Sequence, residues 1–207
     1  MLAKGSIHIV MLPVAAALLS LVLLYVVLWP LAVAMFIVFM VLAAVTANFF
    51  RDPDRDIGKG IVSPADGVLR VAERTAGGTY FSIFMNIHDV HVNRAPWPGK
   101  VIEVVRLGGK HRPAYRKEAG RNARARITLD TSMGRMTVTL ITGIIARRAL
   151  PYVRAGQDLE KGERISIIRF GSRVDLLIPS RKLVLKVRAG ERVMAGATTL
   201  AMPGGGG

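Results

Sequence analysis

Hydrophobic and polar residues fall into two regimes along this chain, meeting near residue 51. Across residues 9–50 no side chain carries a charge, whereas from Arg51 onward short apolar runs alternate with polar and basic positions, punctuated by glycine and proline. A bilayer-spanning helix needs about 20 apolar residues, so the first regime is long enough for two. Trp29-Pro30 supplies a break between them, because proline donates no backbone hydrogen bond and biases the residue before it away from helix. The pattern predicts helices over 9–28 and 31–49, a membrane-anchoring hairpin within residues 1–50. A signal peptide followed by one anchor is the competing arrangement, but no small-residue cleavage site closes a short apolar core.

Beyond residue 51 the period changes to two. Alternation rich in Val, Ile and Thr recurs in residues 68–72, 80–87, 100–107, 126–129, 136–142, 164–169, 174–178 and 183–187, which is the strand signal. Turn chemistry separates these runs at Asp66-Gly67, Gly77-Gly78, Pro98-Gly99, Gly108-Gly109, Met133-Gly134 and Gly190. No amphipathic helix of ordinary length is visible there. Residues 51–207 therefore read as one mainly β domain, a barrel or sandwich. An internal echo refines the expectation: Val153-Arg-Ala-Gly-Gln-Asp-Leu-Glu-Lys-Gly162 repeats as Val187-Arg-Ala-Gly-Glu-Arg-Val-Met-Ala-Gly196. Such copies look like the paired glycine turns of a lipoyl-like barrel-sandwich, where a valine or leucine plug sits between two glycine turns. A scaffold of that kind does not decide function.

Charge bears on partners and placement. The net charge is +15, and nearly all of it lies beyond residue 50, which suits nucleic acid or an anionic membrane surface. For a domain already tethered to a bilayer, anionic lipid is the simpler account. The basic segment 108–126 contains one aromatic residue, Tyr115, for base stacking, and no nucleic-acid reading module is recognisable, so no nucleic-acid partner is expected. That segment reads either as a mobile loop or as a flap that meets lipid headgroups. Lys4 before the apolar run, with Arg51 and Arg55 after it, puts both ends of a hairpin in the cytoplasm by the positive-inside rule. The chain has no cysteine, which removes disulfides, thiolate catalysis and cysteine-based zinc sites.

Few residues carry candidate chemistry. His88 and His91 lie close together in Asn86-Ile-His-Asp-Val-His-Val-Asn-Arg-Ala-Pro96. No third histidine or glutamate stands at metal-ligand spacing, so no metal is expected; general acid–base work or a hydrogen-bonded turn are the readings that remain. Asp66, in Ser63-Pro-Ala-Asp-Gly67, suits a tight turn and equally a carboxylate that orients a histidine. Gly171-Ser172 interrupts two strand-like runs. Arg147 and Arg148 suit a phosphodiester or a solvated surface pair.

In this order, an apolar N-terminal region, Ser-Pro-Ala-Asp-Gly, His-x-x-His-x-Asn-Arg-Ala-Pro, Gly-Ile-Ile-Ala-Arg-Arg and Arg-Phe-Gly-Ser-Arg-Val-Asp resemble the short, archaeal-type branch of the phosphatidylserine decarboxylase proenzymes. The resemblance implies self-cleavage between Gly171 and Ser172: the serine hydroxyl attacks the Gly171 carbonyl, and β-elimination then leaves a pyruvoyl cofactor at residue 172. It implies His91 as base with Asp66 orienting it, and His88 as the acid that protonates the carbanion. It implies decarboxylation of phosphatidylserine through a Schiff base, giving phosphatidylethanolamine and carbon dioxide. Large and small chains would remain together as a heterodimer, with further oligomerisation left open, at the cell membrane on its cytoplasmic side. Ether-linked archaetidylserine is a substrate that the residues do not exclude. Arg173 after the Gly-Ser step suits the short branch, and Asn122-Ala-Arg124 departs from the family's frequent Asn-Glu-Arg. A membrane-tethered β module without chemistry is the rival reading, and a lipoyl or biotin carrier lacks a well-placed lysine beyond Arg181-Lys182.

Overall fold

A computed structural model describes residues 3–26, 29–109, 122–143, 149–168 and 172–204. The chain divides into two units, Met1–Asp54 and Arg55–Gly207.

The first unit consists of α1 (Ile7–Val26) and α2 (Trp29–Phe49). The Ala3 N–H donates to the Phe50 carbonyl at 3.0 Å, so the start of α1 and the end of α2 are together and the helices run antiparallel. Their few hydroxyls are satisfied one turn back, Ser20 on the Ala16 carbonyl at 2.9 Å and Thr46 on the Leu42 carbonyl at 2.6 Å, as an apolar surrounding demands. With 21 residues and a mean hydropathy of 2.5, α2 is long and apolar enough to cross a membrane. The expected break at Trp29-Pro30 is displaced, since both residues belong to the first turn of α2. Proline is tolerated there because the first N–H groups of a helix have no intrahelical partner.

Among the described residues, the second unit is built of strands. They are β1 (Ile61–Val62), β2 (Gly67–Thr75), β3 (Gly78–Met85), β4 (Val92–Arg94), β5 (Gly99–Leu107), β6 (Arg124–Thr131) and β7 (Gly134–Thr142). There follow β8 (Ala149–Pro151), β9 (Asp158–Leu159), β10 (Arg164–Ile168), β11 (Ser172–Ile178), β12 (Leu183–Leu185), β13 (Arg192–Val193) and β14 (Thr199–Pro203). Eight form one sheet in the order β13-β2-β3-β11-β7-β6-β5-β9, and two three-stranded sheets run β1-β14-β12 and β4-β10-β8. The alternation read from sequence becomes two faces. Val174, Leu176 and Ile178 of β11, Met136, Val138 and Leu140 of β7, and Ala125, Ile127 and Leu129 of β6 all enter a single core. Each large aliphatic side chain buried there contributes about 1.5–3 kcal/mol.

The order of the large sheet is a palindrome of equivalent strands. β2 and β5 correspond, as do β3 and β6, β11 and β7, and β13 and β9, and the short sheets match as β1-β14-β12 against β4-β10-β8. The echoed segments are the joints of the two halves. Gly190 N–H donates to the Leu69 carbonyl and Gly156 N–H to the Val101 carbonyl, both at 2.7 Å; Gly196 reaches Ser63 at 2.8 Å and Gly162 reaches Ala95 at 2.9 Å. The plugs between the turns, Val193 and Leu159, are both in the core. One half, β4 through β10, is continuous in the chain. The other is split, with β1 to β3 before that insert and β11 to β14 after it.

Three expectations about this unit are corrected. The run 80–87 ends as a strand at Met85, because residues 86–89 close a turn. Arg124, assigned only to a basic loop, lies in β6 ahead of the strand expected from Arg126, held by pairing to Ile141 of β7; residues 110–121 of that loop are outside the described residues. Six strands of two to five residues, β1, β4, β8, β9, β13 and β14, escaped the pattern, being too short to show a period.

The paired turns give a direct test. Gly156 and Gly190 adopt φ of 91° and 98° with nothing within 4 Å of an added Cβ, so substitution costs only backbone strain. Gly156→Ala and Gly190→Ala are each expected to lower stability by about 1–2 kcal/mol, measured by chemical denaturation.

Candidate active site

The split half decides where the site lies. In the continuous half, β6 turns straight into β7 through Thr131 and Gly134. The equivalent strands β3 and β11 are joined only through the whole insert, so the chain leaves the sheet after Met85 and returns to it at Ser172. The two positions are direct partners across the ladder, and Ser172 also pairs with Thr142 on its other side. Partners in an antiparallel ladder have Cα atoms about 4.5–5.5 Å apart. Outgoing and returning segments remain together beyond the sheet: Val92 of β4 pairs with Ile167 of β10, and Ile168 N–H donates to the His91 carbonyl at 3.2 Å. His88 and His91 lie on the outgoing segment, between Met85 and β4. Gly171, bonded to Ser172, lies on the returning one. Residues remote in sequence are thus gathered at one end of β3 and β11. Gly171 lies outside the described residues, as do Arg147 and Arg148, the proposed phosphodiester contacts.

The outgoing turn is organised by Asp89. One carboxylate oxygen accepts the Asn86 N–H at 2.7 Å, and the Asp89 N–H donates to the Asn86 carbonyl at 3.0 Å. The second carboxylate oxygen takes Arg192 of β13. His91 is fully buried, and its Nδ1 lies 2.8 Å from the Asp89 carbonyl. A carbonyl only accepts, so Nδ1 carries the proton, and in the neutral ring the lone pair is on Nε2. That is the tautomer a general base requires. His88 stands exposed on the turn, where a proton can be exchanged with solvent. Below the turn, Asn93 Nδ2 donates to Ser166 Oγ at 3.0 Å, tying β4 to β10.

The contacts seen at Asp66 are to Arg55 and to the backbone of Ala195. Its two oxygens engage Arg55 as a fork, and Oδ1 also accepts the Ala195 N–H at 2.8 Å. The fork makes two charge-assisted bonds, and the Nδ1 proton of His91 is given to the Asp89 carbonyl. Arg55 was noticed in the sequence only as part of the positive-inside signal. Asp89 is flanked by the two histidines and could have been found from the motif. Arg192 had no local signal, because its partner is remote in the chain.

A cavity of about 470 Å³ opens on the outer face of the large sheet, with Arg173, the residue after Ser172, in its wall. Arg124, Arg126, Arg173, Asp175 and Tyr80 are among its walls. Asp175 accepts Ser82 at 2.8 Å and Arg173 at 2.9 Å. Burial, and then the Asp175 charge, push the Tyr80 phenol up to about 12.

Two measurements follow from these contacts. Arg55 and Asp66 are 12% and 11% exposed at their side chains, so Arg55→Met, which strands a carboxylate, is expected to cost about 3 kcal/mol in denaturant unfolding. Because the folded protein holds the Tyr80 phenol neutral while the unfolded chain ionises near 10, stability should fall as pH rises from 10 towards 12. Tyr80→Phe should remove that part of the alkaline loss, seen in melts across the same range.

Comparison with known proteins bears on the whole of this arrangement. The family model for phosphatidylserine decarboxylase matches residues 42–201. A protein of Halobacterium salinarum, provisionally named an archaetidylserine decarboxylase proenzyme, is 46% identical over 169 residues, covering 80% of this chain and 84% of its own. A phosphatidylserine decarboxylase proenzyme of Streptomyces coelicolor is 44% identical over 161 residues, covering 77% and 73%, and one from Thermobifida fusca is 45% identical over 161 residues, covering 77% and 74%. The match runs through the strands that bring the histidine turn and Ser172 to one end of the sheet, and the chain belongs to the phosphatidylserine decarboxylase family.

Proposed function

We propose that the chain is a proenzyme that cuts itself between Gly171 and Ser172, and that the mature form decarboxylates phosphatidylserine to phosphatidylethanolamine. The observation that carries this is the pairing of Met85 with Ser172, which sets the returning segment beside the turn bearing His88 and His91.

The cut requires a hydroxyl to reach the preceding carbonyl, and glycine before the serine allows the strained backbone this needs. Ser172 attacks the Gly171 carbonyl, converting the amide to an ester; elimination then frees the Gly171 carboxylate, and water replaces ammonia at residue 172. His91, through Nε2, is the base we assign to the serine proton, with its other nitrogen held by the Asp89 carbonyl. Asp66, its charge balanced by Arg55, is the carboxylate we assign to the support of His91.

The residues around position 172 fit a pyruvoyl group. β11 has strands on both sides, β3 and β7, so a new chain end at 172 is held by its ladder partners after the peptide is broken. A pyruvoyl group there supplies an electrophilic carbonyl that condenses with the substrate amine and draws electrons from the bond to the departing carboxylate. The small chain, residues 172–207, carries β11 to β14, each paired with a strand of the large chain or with one that is. Separation would break both ladders, which supports a lasting heterodimer. His88, exposed on the same turn, is the acid we assign to protonation of the product carbon.

The apolar hairpin supports work at a membrane surface, since a two-chain lipid scarcely leaves the bilayer. Lys4, Arg51 and Arg55 favour the cytoplasmic side, where anionic lipid attracts a basic domain. Arg147 and Arg148 remain the proposed contacts to the substrate phosphodiester. The ether-linked lipid named for archaeal relatives has the same serine headgroup and belongs to the same substrate class.

Intact mass under denaturing conditions tests the reading. The expected result is a fragment spanning residues 172–207, lighter by one ammonia than the same peptide beginning with serine, and its absence from Ser172→Ala. His91→Ala should slow the cut by about a hundredfold or more. An uncut wild-type chain indistinguishable from Ser172→Ala would instead support a tethered β module without chemistry.

A further inference from the structure

We infer that Arg192 and Asp89 act as a pair of positioning residues for His91, reaching across the cleavage from the small chain to the large one. The inference rests on the proposed cut and the proposed role of His91 as base.

Asp89 is 5% exposed, and a carboxylate so far removed from water needs a compensating cation. That cation is Arg192 of β13. With its charge balanced, the Asp89 carboxylate can also accept the Asn86 N–H at 2.7 Å, which closes the turn. The closed turn aims the Asp89 carbonyl at His91 Nδ1, 2.8 Å away, and thereby selects the tautomer with its lone pair on Nε2. The chain of contacts runs from a guanidinium, through a carboxylate and its own backbone, to the imidazole. None of the members before His91 is assigned a contact with the reacting atoms.

The donor belongs to one of the echoed turns. The stretch from Gly190 to Gly196 carries Arg192 to Asp89 and the Ala195 N–H to Asp66 at 2.8 Å. A single turn thus meets both acidic residues of the site. Its strand is fixed by pairing of Arg192 with Val68 and of Val193 with Gly67. After the cut this turn lies in the small chain, whereas Asp66, Asp89 and His91 lie in the large one. The contacts therefore tie the base to the chain that bears residue 172.

Arg192 itself is 71% exposed at its side chain whereas Asp89 is 5% exposed, so loss of the guanidinium strands a nearly buried carboxylate and is expected to lower stability in denaturant unfolding as well as the rate of the cut. In full-length protein followed by intact mass as it matures, Arg192→Gln is expected to slow the cut between Gly171 and Ser172 about tenfold. Arg192→Lys should recover most of the rate. Asp89→Asn should resemble Arg192→Gln, and the double variant should be no worse than the worse single one.

A second readout does not depend on the rate of the cut. In protein labelled with nitrogen-15 histidine, the His91 ring should show the Nδ1-protonated tautomer in wild type and Arg192→Lys, and a mixture of tautomers in Arg192→Gln. Should Arg192→Gln fail to fold, Asp89→Asn carries both measurements. A wild-type rate of cutting with wild-type His91 signals in Arg192→Gln overturns the inference, and so does an Arg192→Lys as impaired as Arg192→Gln. If no form of the protein cuts itself, the proposed function falls, while the His91 signals still decide whether the pair sets the tautomer.

Discussion

Strand β11 is hydrogen-bonded on both sides, to β3 and to β7, and the rest of the catalytic unit depends on that. It joins the two echoed halves, since the large sheet reads the same outward from the seam between β11 and β7. Its first residue is Ser172. The proposed scissile bond thus adjoins the seam, where the backbone on one side of the cut is fixed by two ladders. A chain end created there is not a loose terminus. Strand pairing supplies the rigidity that a site assembled from two chains requires.

That placement follows from an unequal use of a repeated plan. Both halves have the same strands in the same order, but one is closed by a tight hairpin and the other opened to accept its copy. Insertion turned an ordinary hairpin into two chain crossings lying side by side. The outgoing crossing carries the histidines and the returning one carries Gly171. In the continuous half the equivalent position is a plain turn at Thr131 to Gly134 with no candidate chemistry.

Charge within the site is arranged in pairs. Asp66 is balanced by Arg55 and Asp89 by Arg192, and each carboxylate spends an oxygen on a backbone N–H as well. Two nearly buried anions would otherwise raise the cost of the fold. Each cation comes from a distant part of the chain: Arg55 from the first residue of the catalytic unit, Arg192 from an echoed turn. The same groups that make burial tolerable also hold the turn on which His91 depends.

Much of this was legible in the amino-acid sequence, for local reasons. Apolar runs without charge announce a hairpin because lipid tolerates little else. Period two and glycine turns announce β structure, and the echo announces paired turns because only glycine takes the positive φ they need, as Gly156 and Gly190 do. His88, His91, Asp66 and the Gly-Ser step stood out by motif. What sequence alone could not supply was pairing across the chain. The short strands β1, β4, β8 and β13 exist only because a partner orders them. That Asp66 turns to Arg55, and that His91 is set by the Asp89 carbonyl, depends on which groups the fold brings within hydrogen-bond reach. Local patterns in the sequence determined the elements and the chemical types present; the insertion of one half into the other, a long-range fact of strand pairing, decided which of them meet.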